Sequence, residues 1–422
     1  MPWRNPDLMS VRQEFVRLAL SGRYNITELC VAFGISEKTG HKWLARYRKE
    51  GVQGLADRPH NPHAPPHQLS PDVRKGIITL RSQHPTWGSK KLLGVLKRKR
   101  PEMSWPAAST IGELLRREGM VKTSRRNKNK NIGKPLDSGL TLAAAPNDVW
   151  TTDFKGEFRL GPGPYCFPLT VMDAQSRFLI GCTGLFSTAT LPVQIVFKRL
   201  FQRYGLPEVM RSDNGVPFAS PTALGRLSKL SVWWIRLGIR PERIEPGHPE
   251  QNGQHERMHR TLKAEATRPP SATLVQQQQR FDRFRREYND ERPHESLGQR
   301  PPASCYTPSS RAFPSYLPAL EYPAHSDVRR VTCNGVISWR GQYVFLTKAL
   351  TGQDVGLEET DIDTWNLSFG PLSLGSYHSP SNTFIPELHW RNSGAPAEDE
   401  EDHLMEGKTL VDQSEGSPIF PV

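Results

Sequence analysis

The spacing of apolar positions changes character along this chain. From residue 8 to about 50 they recur at three- and four-residue intervals, which predicts three short helices. VRQEFVRLALSGRY places Phe15, Leu18 and Ala19 on one face, and NITELCVAFGIS adds Leu29, Val31, Ala32 and Ile35 as core candidates. Gly34 suits the tight turn of a helix-turn-helix, and Ser36 can cap the helix EKTGHKWLARYRKE that follows. Trp43, Leu44 and Tyr47 form its apolar side; Lys38, Lys42, Arg46, Arg48 and Lys49 supply charge. The prolines of PHNPHAPPHQLSP (59–71) predict a semi-rigid linker. Three further helical segments follow it, PDVRKGIITLRSQ, WGSKKLLGVLKRK and PAASTIGELLRREG, and read as a second helix-turn-helix unit.

Near residue 146 the pattern switches to short β-prone runs between turn residues. DVWTTDFKGEFRL, YCFPLTVMD and SRFLIGCTGL read as three consecutive antiparallel strands. LPVQIVFKRLFQRYG reads as an amphipathic helix ending at Gly205, and PEVMRSD as a short buried strand ending at Asp213. PTALGRLSKL is expected to be helical and SVWWIRLGI to be a strand; HPEQNGQHERMHRTLKAEA and LVQQQQRFDRFRREYND are expected to be helices. That order is the one expected of an α/β RNase H-like core. From 320 to 377 the chain is again β-prone, with two stretches around a WRG turn, then DVGLEE and TWNLSFGPLSLGSY, which fits a five-strand small barrel. The expected organisation is thus a multidomain chain: helix-turn-helix units at 1–58 and 72–121, linkers at 59–71 and 122–145, a core at 146–308, a barrel at 320–377 and a disordered tail at 378–422.

Charge adds direction to this outline. Residues 1–134 hold 27 Lys and Arg against 10 Asp and Glu, whereas 398–422 hold one Lys against eight acids. Positive charge concentrated on the helical end, within a total of +13, suits binding to a polyanion and makes the third helix, with Lys38, Lys42 and Arg46, a candidate for a DNA major groove. The basic, non-periodic KTSRRNKNKNIGK (122–134) could track phosphates. The five cysteines are scattered without a CxxC pair, which disfavours a disulfide framework or structural zinc and implies reduced thiols. No apolar run reaches the roughly 18 residues of a membrane helix, and the N-terminus lacks a secretory apolar core. The expected location is the cytoplasm, in association with the nucleoid.

Three acids carry the candidate chemistry: Asp153 in VWTTDFKGEF, Asp213 in MRSDNGVPFA and Glu256 in NGQHERMHRTLK. The first two fall on strand-like segments and the third on a following helix, an arrangement that lets them converge at one sheet edge. Two-metal phosphoryl transfer requires hard oxygen donors around ions roughly 3.5–4 Å apart, and Mg²⁺ or Mn²⁺ suit carboxylates. On its helix Glu256 is followed at i+4 by Arg260 and at i+7 by Lys263, candidate phosphate contacts on the same face. Glu250 competes with Glu256, but after His-Pro it reads better as a helix-start residue. Asp148 and Asp173 read as turn residues. His255-Glu256-Arg257-Met258-His259 also satisfies HExxH, the zinc metallopeptidase pattern, although QNGQ before it is polar and the glycine-histidine extension is missing.

WTTDF, RSDNG, HPEQNGQHERMHRTLK and YNDERPHESLGQRPPASCY together resemble the DDE transposases of bacterial insertion sequences, the group with a retroviral-integrase-like catalytic core. The resemblance covers roughly residues 8–377. It implies that Asp153, Asp213 and Glu256 bind two divalent ions, that the helical units bind the inverted repeats at the element ends, and that the core cleaves and joins DNA as a multimer. Two departures stand out. The Asp213–Glu256 spacing is longer than usual for the family, implying a small insertion around 225–243. The N-terminus lacks a His-His-Cys-Cys zinc module, which separates the chain from retroviral-type integrases. A catalytically inactive DNA-binding regulator derived from a transposase, or a structure-selective nuclease, are the rival expectations.

Overall fold

The computed structural model describes residues 8–57, 69–121, 139–220, 223–245 and 247–390. Most of the proline-rich linker, most of the basic linker and the acidic tail beyond 390 lie outside the described residues. The chain forms two compact units, Met1–Pro71 and Asp72–Val422.

In the first unit, helices α1 (Leu8–Leu20), α2 (Ile26–Ala32) and α3 (Glu37–Glu50) enclose Phe15, Val16, Leu29, Cys30, Trp43 and Leu44. Asn25 and Ser36 cap α2 and α3 by accepting from Thr27 N and Thr39 N. Gly34 adopts φ +64 in the turn between them. Gly40 lets α3 approach its neighbours; a Cβ there would lie 2.5 Å from Cys30 Sγ.

The second unit begins with α4 (Pro71–Gln83), α5 (Ser89–Lys99) and α6 (Ala108–Arg117), held by Ile77, Trp87, Leu92, Val95, Ile111 and Leu115. The central sheet follows: β1 (Val149–Phe154), β2 (Phe158–Arg159), β3 (Tyr165–Asp173), β4 (Leu179–Leu185), β5 (Val209–Ser212) and β6 (Arg240–Arg243). Its order is β2-β3-β1-β5-β6, with β4 also on β3; β1–β3 and β3–β4 are antiparallel, β1–β5 and β5–β6 parallel. Helices α7 (Thr190–Tyr204) and α8 (Lys229–Arg236) cover one face around Phe197, Phe201 and Trp234. Helices α9 (Gly253–Glu265) and α10 (Leu274–Asp290) cover the other around Met172, Met258, Leu262 and Phe281. Strand alternation decides which side chains meet which helices: Trp150 joins the α7 side, and Thr151 contacts α9.

One expected strand is a helix. SVWWIRLGI contributes most of α8, and the strand is the short RPER at 240–243. Ser228 and Ser231 form a reciprocal capping box that starts the helix, and Leu230 and Trp234 then fall one turn apart on its buried side. Within the expected preceding helix the described residues form a single 3₁₀ turn, Leu224–Arg226, and its last two residues, Lys229 and Leu230, already belong to α8.

The C-terminal β module also departs from expectation. Strands β7 (Asp327–Arg330), β10 (Asp354–Asp361), β11 (Thr364–Phe369), β12 (Leu372–His378) and β13 (Thr383–Trp390) form an antiparallel sheet in the order β13-β12-β11-β10-β7; β8 (Val336–Trp339) and β9 (Gln342–Phe345) form a separate hairpin. Among the described residues β13 and β7 do not pair, so the small barrel is not closed. The sheet instead buries its apolar face against that hairpin (Ile337, Trp339, Val344) and against Leu227, Val232 and Ile235 at α8. Strand β13 extends structure to Trp390, into the segment expected to be disordered from 378.

Candidate active site

Parallel pairing of β1 with β5 matches Val149 to Val209, Trp150 to Met210 and Thr151 to Arg211. Continuing that register two residues brings Asp153 abreast of Asp213, at neighbouring strand ends. Asp153 shares its face with Thr151, the face on which α9 lies, and Glu256 occupies the first turn of α9. Asp153 feels both of the other acids. Asp153 is pushed up to about 7, first by burial, then by the charge of Asp213, with Glu256 acting in the same direction. Burial raises Asp213 as well, against the Gly215 backbone N–H that donates to its Oδ1 at 3.2 Å. Glu256 is exposed.

The Asp-Asn-Gly turn is anchored. Asn214 Nδ2 donates to Ile244 O at 2.7 Å, and Arg226 Nη1 donates to Asn214 Oδ1 at 3.0 Å. A Cβ on Gly215 would lie 3.0 Å from Asp213 Oδ2, so a side chain there would press on the carboxylate.

Sequence reasoning set aside the two histidines flanking Glu256, and they prove to organise the site's floor. His255 is fully buried; its Nδ1 lies 2.8 Å from Thr151 Oγ1 and its Nε2 2.6 Å from Thr170 Oγ1. His259 Nε2 lies 2.7 Å from the same Thr170 hydroxyl. Burial lowers the two rings to about 3 and about 2, so both are neutral at pH 7. Each threonine hydroxyl has one proton to divide between a backbone carbonyl and the imidazoles: Thr170 Oγ1 also lies 3.0 Å from Asp153 O, and Thr151 Oγ1 3.2 Å from Met172 O. A neutral His255 donates from one ring nitrogen and accepts at the other, and the two threonines occupy both. His259 Nδ1 lies 3.6 Å from Asp153 Oδ2, a contact of a neutral ring rather than an ion pair. The signal available in the sequence was the i, i+4 spacing of the histidines beside the buried Met258 and Leu262.

The other candidates fall where their local chemistry puts them. Asp148 accepts from Ala144 N and Ala145 N in the turn before β1, and Asp173 is buried against Ser176 and Asn147 N. Glu250 is held by His248 at 2.7 Å, which lowers its pKa. Arg260 and Lys263 are exposed along α9. In the first unit Lys38 and Lys42 are exposed on α3, whereas Arg46 is half-buried with its guanidinium 5.1 Å from the Trp43 ring. Among the described residues no three His, Cys, Asp or Glu side chains are drawn close enough to hold an ion as they stand. The donor set nevertheless fits one: hard oxygens, with Asp153 raised by burial and then by the charges of Asp213 and Glu256. All five cysteines are free, and no described helix is long and apolar enough to cross a membrane.

Family profiles match this organisation piece by piece. A helix-turn-helix domain matches 11–63, a homeodomain-like domain 39–115, and integrase core domains 143–249 and 237–302; the C-terminal domain of IS481 family transposases matches 326–378. An uncharacterized 39.2 kDa protein of insertion element IS476 from Xanthomonas euvesicatoria is 28% identical over 62% of this chain and 72% of its own length. An uncharacterized 31.7 kDa protein of insertion element IS407 from Burkholderia multivorans is 27% identical over 45% of this chain and 65% of its own length. The Gag-Pol polyprotein of feline leukemia virus is 29% identical over 29% of this chain, which spans 7% of that polyprotein. Among solved structures, the magnesium-bound HTLV-2 integrase catalytic core domain aligns with 39% of this chain and 99% of its own at 13% identity, with a TM-score of 0.32. By its integrase core, its insertion-element relatives and its C-terminal module, the chain belongs to the DDE-type transposases of insertion sequences, enzymes of the polynucleotidyl transferase kind that carry helix-turn-helix DNA-binding domains.

Proposed function

We propose that this transposase binds the inverted repeats at its element's ends, cleaves there to free a 3′-hydroxyl, and joins that hydroxyl to target DNA, with Asp153, Asp213 and Glu256 as the residues that hold two divalent ions, Mg²⁺ or Mn²⁺. The observation that carries the reading is the β1–β5 register, which sets two acids abreast at one sheet end, joined by Glu256, whose charge acts on Asp153. Bound divalent ions supply Lewis acidity toward the attacking and leaving oxygens of a phosphodiester.

The chain's own residues do the rest. Asp153 is fixed from below by the Thr170–His255–His259 network, which ties β3 to α9. Gly215 N–H and the Asn214 anchors hold the Asp213 turn in place. Arg260 and Lys263, one and two turns beyond Glu256, contact phosphates of the strand being cut. Lys38, Lys42 and Arg46 contact DNA through the first unit, a role open to Arg46 only through its partly exposed edge. Synapsis of two ends requires more than one copy of the chain on DNA.

The test uses labelled duplex carrying the element's termini, with Mg²⁺ or Mn²⁺, and compares wild type with Asp213→Asn. Metal-dependent nicking and joining that vanish in the variant support the reading. Tight end binding without cleavage under either metal would make the chain a DNA-binding regulator instead.

A further inference from the structure

The second helix-turn-helix unit is docked on the catalytic core. The His84 ring stacks on Trp87 at 3.7 Å and its Nδ1 lies 2.8 Å from Glu287 Oε1 on α10. Thr86 donates to Glu265 of α9, Lys90 pairs with Glu295 at 2.7 Å, and Arg98 Nη2 donates to Glu291 O at 3.1 Å. Helix α5 comes close to the turn at 298–300 because residue 94 is glycine; a Cβ there would lie 3.0 Å from Gln299 Cβ.

Docking leaves an open cavity of about 590 Å³ between α5 and that turn, reaching Ala108 at the start of α6. Its charged lining is Lys90, Lys97 and Arg98 from α5 and Arg300 from the core, and no acidic residue lines it. The acids nearby are already engaged: Glu295 with Lys90, Glu287 with His84, and Glu265 with Arg292 at 2.8 Å. Lys97 and Arg300 are exposed and carry no ion pair among the described residues. Lys90 has its carboxylate partner in Glu295, but Lys97, Arg98 and Arg300 converge on the same concavity without one among the described residues, and an anionic ligand relieves their repulsion. Helix α6, which starts at its rim, is the third helix of the unit, the position that enters a major groove in such folds, and backbone phosphates flank a helix so placed.

We infer that this cavity is a phosphate-binding subsite for the backbone of the duplex that the second helix-turn-helix unit reads, so that this unit and the catalytic core grip DNA together. The inference rests on the DNA-binding reading above. Neither partner holds the site alone: α5 supplies three of the cations and the core supplies Arg300.

The test measures binding of labelled element-end duplex to the full chain by fluorescence anisotropy from 0.05 to about 0.4 M salt, for wild type, Lys97→Ala/Arg300→Ala and the charge-matched control Lys198→Ala/Arg199→Ala on exposed positions of α7. Two lost phosphate contacts should lower the slope of log affinity against log salt by roughly 1.8. At about 0.1 M salt that corresponds to a loss of up to roughly sixty-fold. The control should change the slope by well under one, and Lys97→Arg/Arg300→Lys should restore the wild-type slope. A Lys97→Ala/Arg300→Ala chain that keeps the wild-type slope, or one matched by the control, overturns the inference while leaving the functional reading standing. Wild-type chain that shows no salt-dependent binding to the duplex overturns both.

Discussion

Thr170→Val is the sharpest probe of how this site is built. The residue is fully buried in β3, and its hydroxyl serves three partners at once: Asp153 O, His255 Nε2 and His259 Nε2. Valine preserves the branched shape and removes the hydroxyl partner of two buried imidazole nitrogens. Leaving a buried polar group unsatisfied costs about 1–3 kcal/mol, so the pair should cost about 2–6 kcal/mol. For a unit as large as Asp72–Val422 that lowers the melting temperature by roughly 3–8 °C. Thr170→Ser keeps the hydroxyl and should recover most of the loss. Thr152→Val is the control, because its hydroxyl makes one bond, to Thr170 O at 3.2 Å. Thermal unfolding of the three variants, with nicking assayed below their transitions, supplies both readouts. Thr170→Val should lose more activity than Thr152→Val, since the lost bonds are those that tie α9, and hence Glu256, beneath Asp153. A Thr170→Val chain that melts within about 1 °C of wild type and nicks normally would refute the role given to the network.

Three other outcomes follow from the geometry. Gly215→Ala brings a methyl to 3.0 Å from Asp213 Oδ2, and should reduce nicking at least roughly tenfold while changing the unfolding free energy by less than about 1 kcal/mol; full activity would mean the turn yields without moving the carboxylate. Mg²⁺ or Mn²⁺ added to metal-free protein should raise the melting temperature of wild type but not of Asp213→Asn, and Asp153→Asn should be more stable than wild type without metal because it removes a charge disfavoured by burial and then by Asp213 and Glu256; equal shifts in all three would place the ions elsewhere. Lys91 is lowered from 10.5 to about 8 by burial and then by Arg292. Between those two values the unfolded chain binds more protons than the folded one, so stability should rise as pH climbs through that window, and below about pH 8 the cost of burying the charge is fully present. Lys91→Met should therefore flatten the pH dependence and add about 1–2 kcal/mol at pH 7, a figure reduced from the full shift because the side chain is partly exposed; a melt at pH 7 that falls instead would show that Glu265 and Glu295 outweigh the burial.

Much of the architecture was legible because it rests on local signals. The helices of the first unit follow from apolar spacing and from Asn25, Gly34 and Ser36 at their ends. The neighbouring positions of Asp153 and Asp213 follow from strand order, since both lie at the ends of strands that pair directly. What the sequence concealed depends on partners distant in the chain. Docking of α5 on α10 and on the 294–300 turn joins surfaces about two hundred residues apart through polar contacts that leave no apolar stripe to read. The misread α8 had a local signal, the serines at 228 and 231, but an apolar run of that length suits strand and helix equally until its cap is considered. The closed barrel failed for a tertiary reason: the apolar face that closure would bury is covered by α8 and the β8–β9 hairpin.

The HExxH pattern shows why spacing alone does not decide chemistry. Two histidines four apart on a helix present their rings to the same side, whatever that side faces. A zinc ligand must offer a lone pair to the ion. Here β1 and β3 present Thr151 and Thr170 to that side, and their hydroxyls engage both nitrogens of His255 and Nε2 of His259. His255 then has no nitrogen left for an ion. Glu256, between the histidines, is turned outward by the same helical geometry and faces the side where DNA would lie. One helix thus uses its inward residues to fix itself to the sheet and carries on its outer side the acid proposed as the third of the carboxylate set. That division of labour predicts that His259→Ala should reduce stability and activity together, whereas Glu256→Gln should abolish cleavage and leave the melting temperature nearly unchanged. If Glu256→Gln joined ends at the wild-type rate, the third acid would have to be sought elsewhere, and the contribution of Glu256 to the raised Asp153 would be incidental.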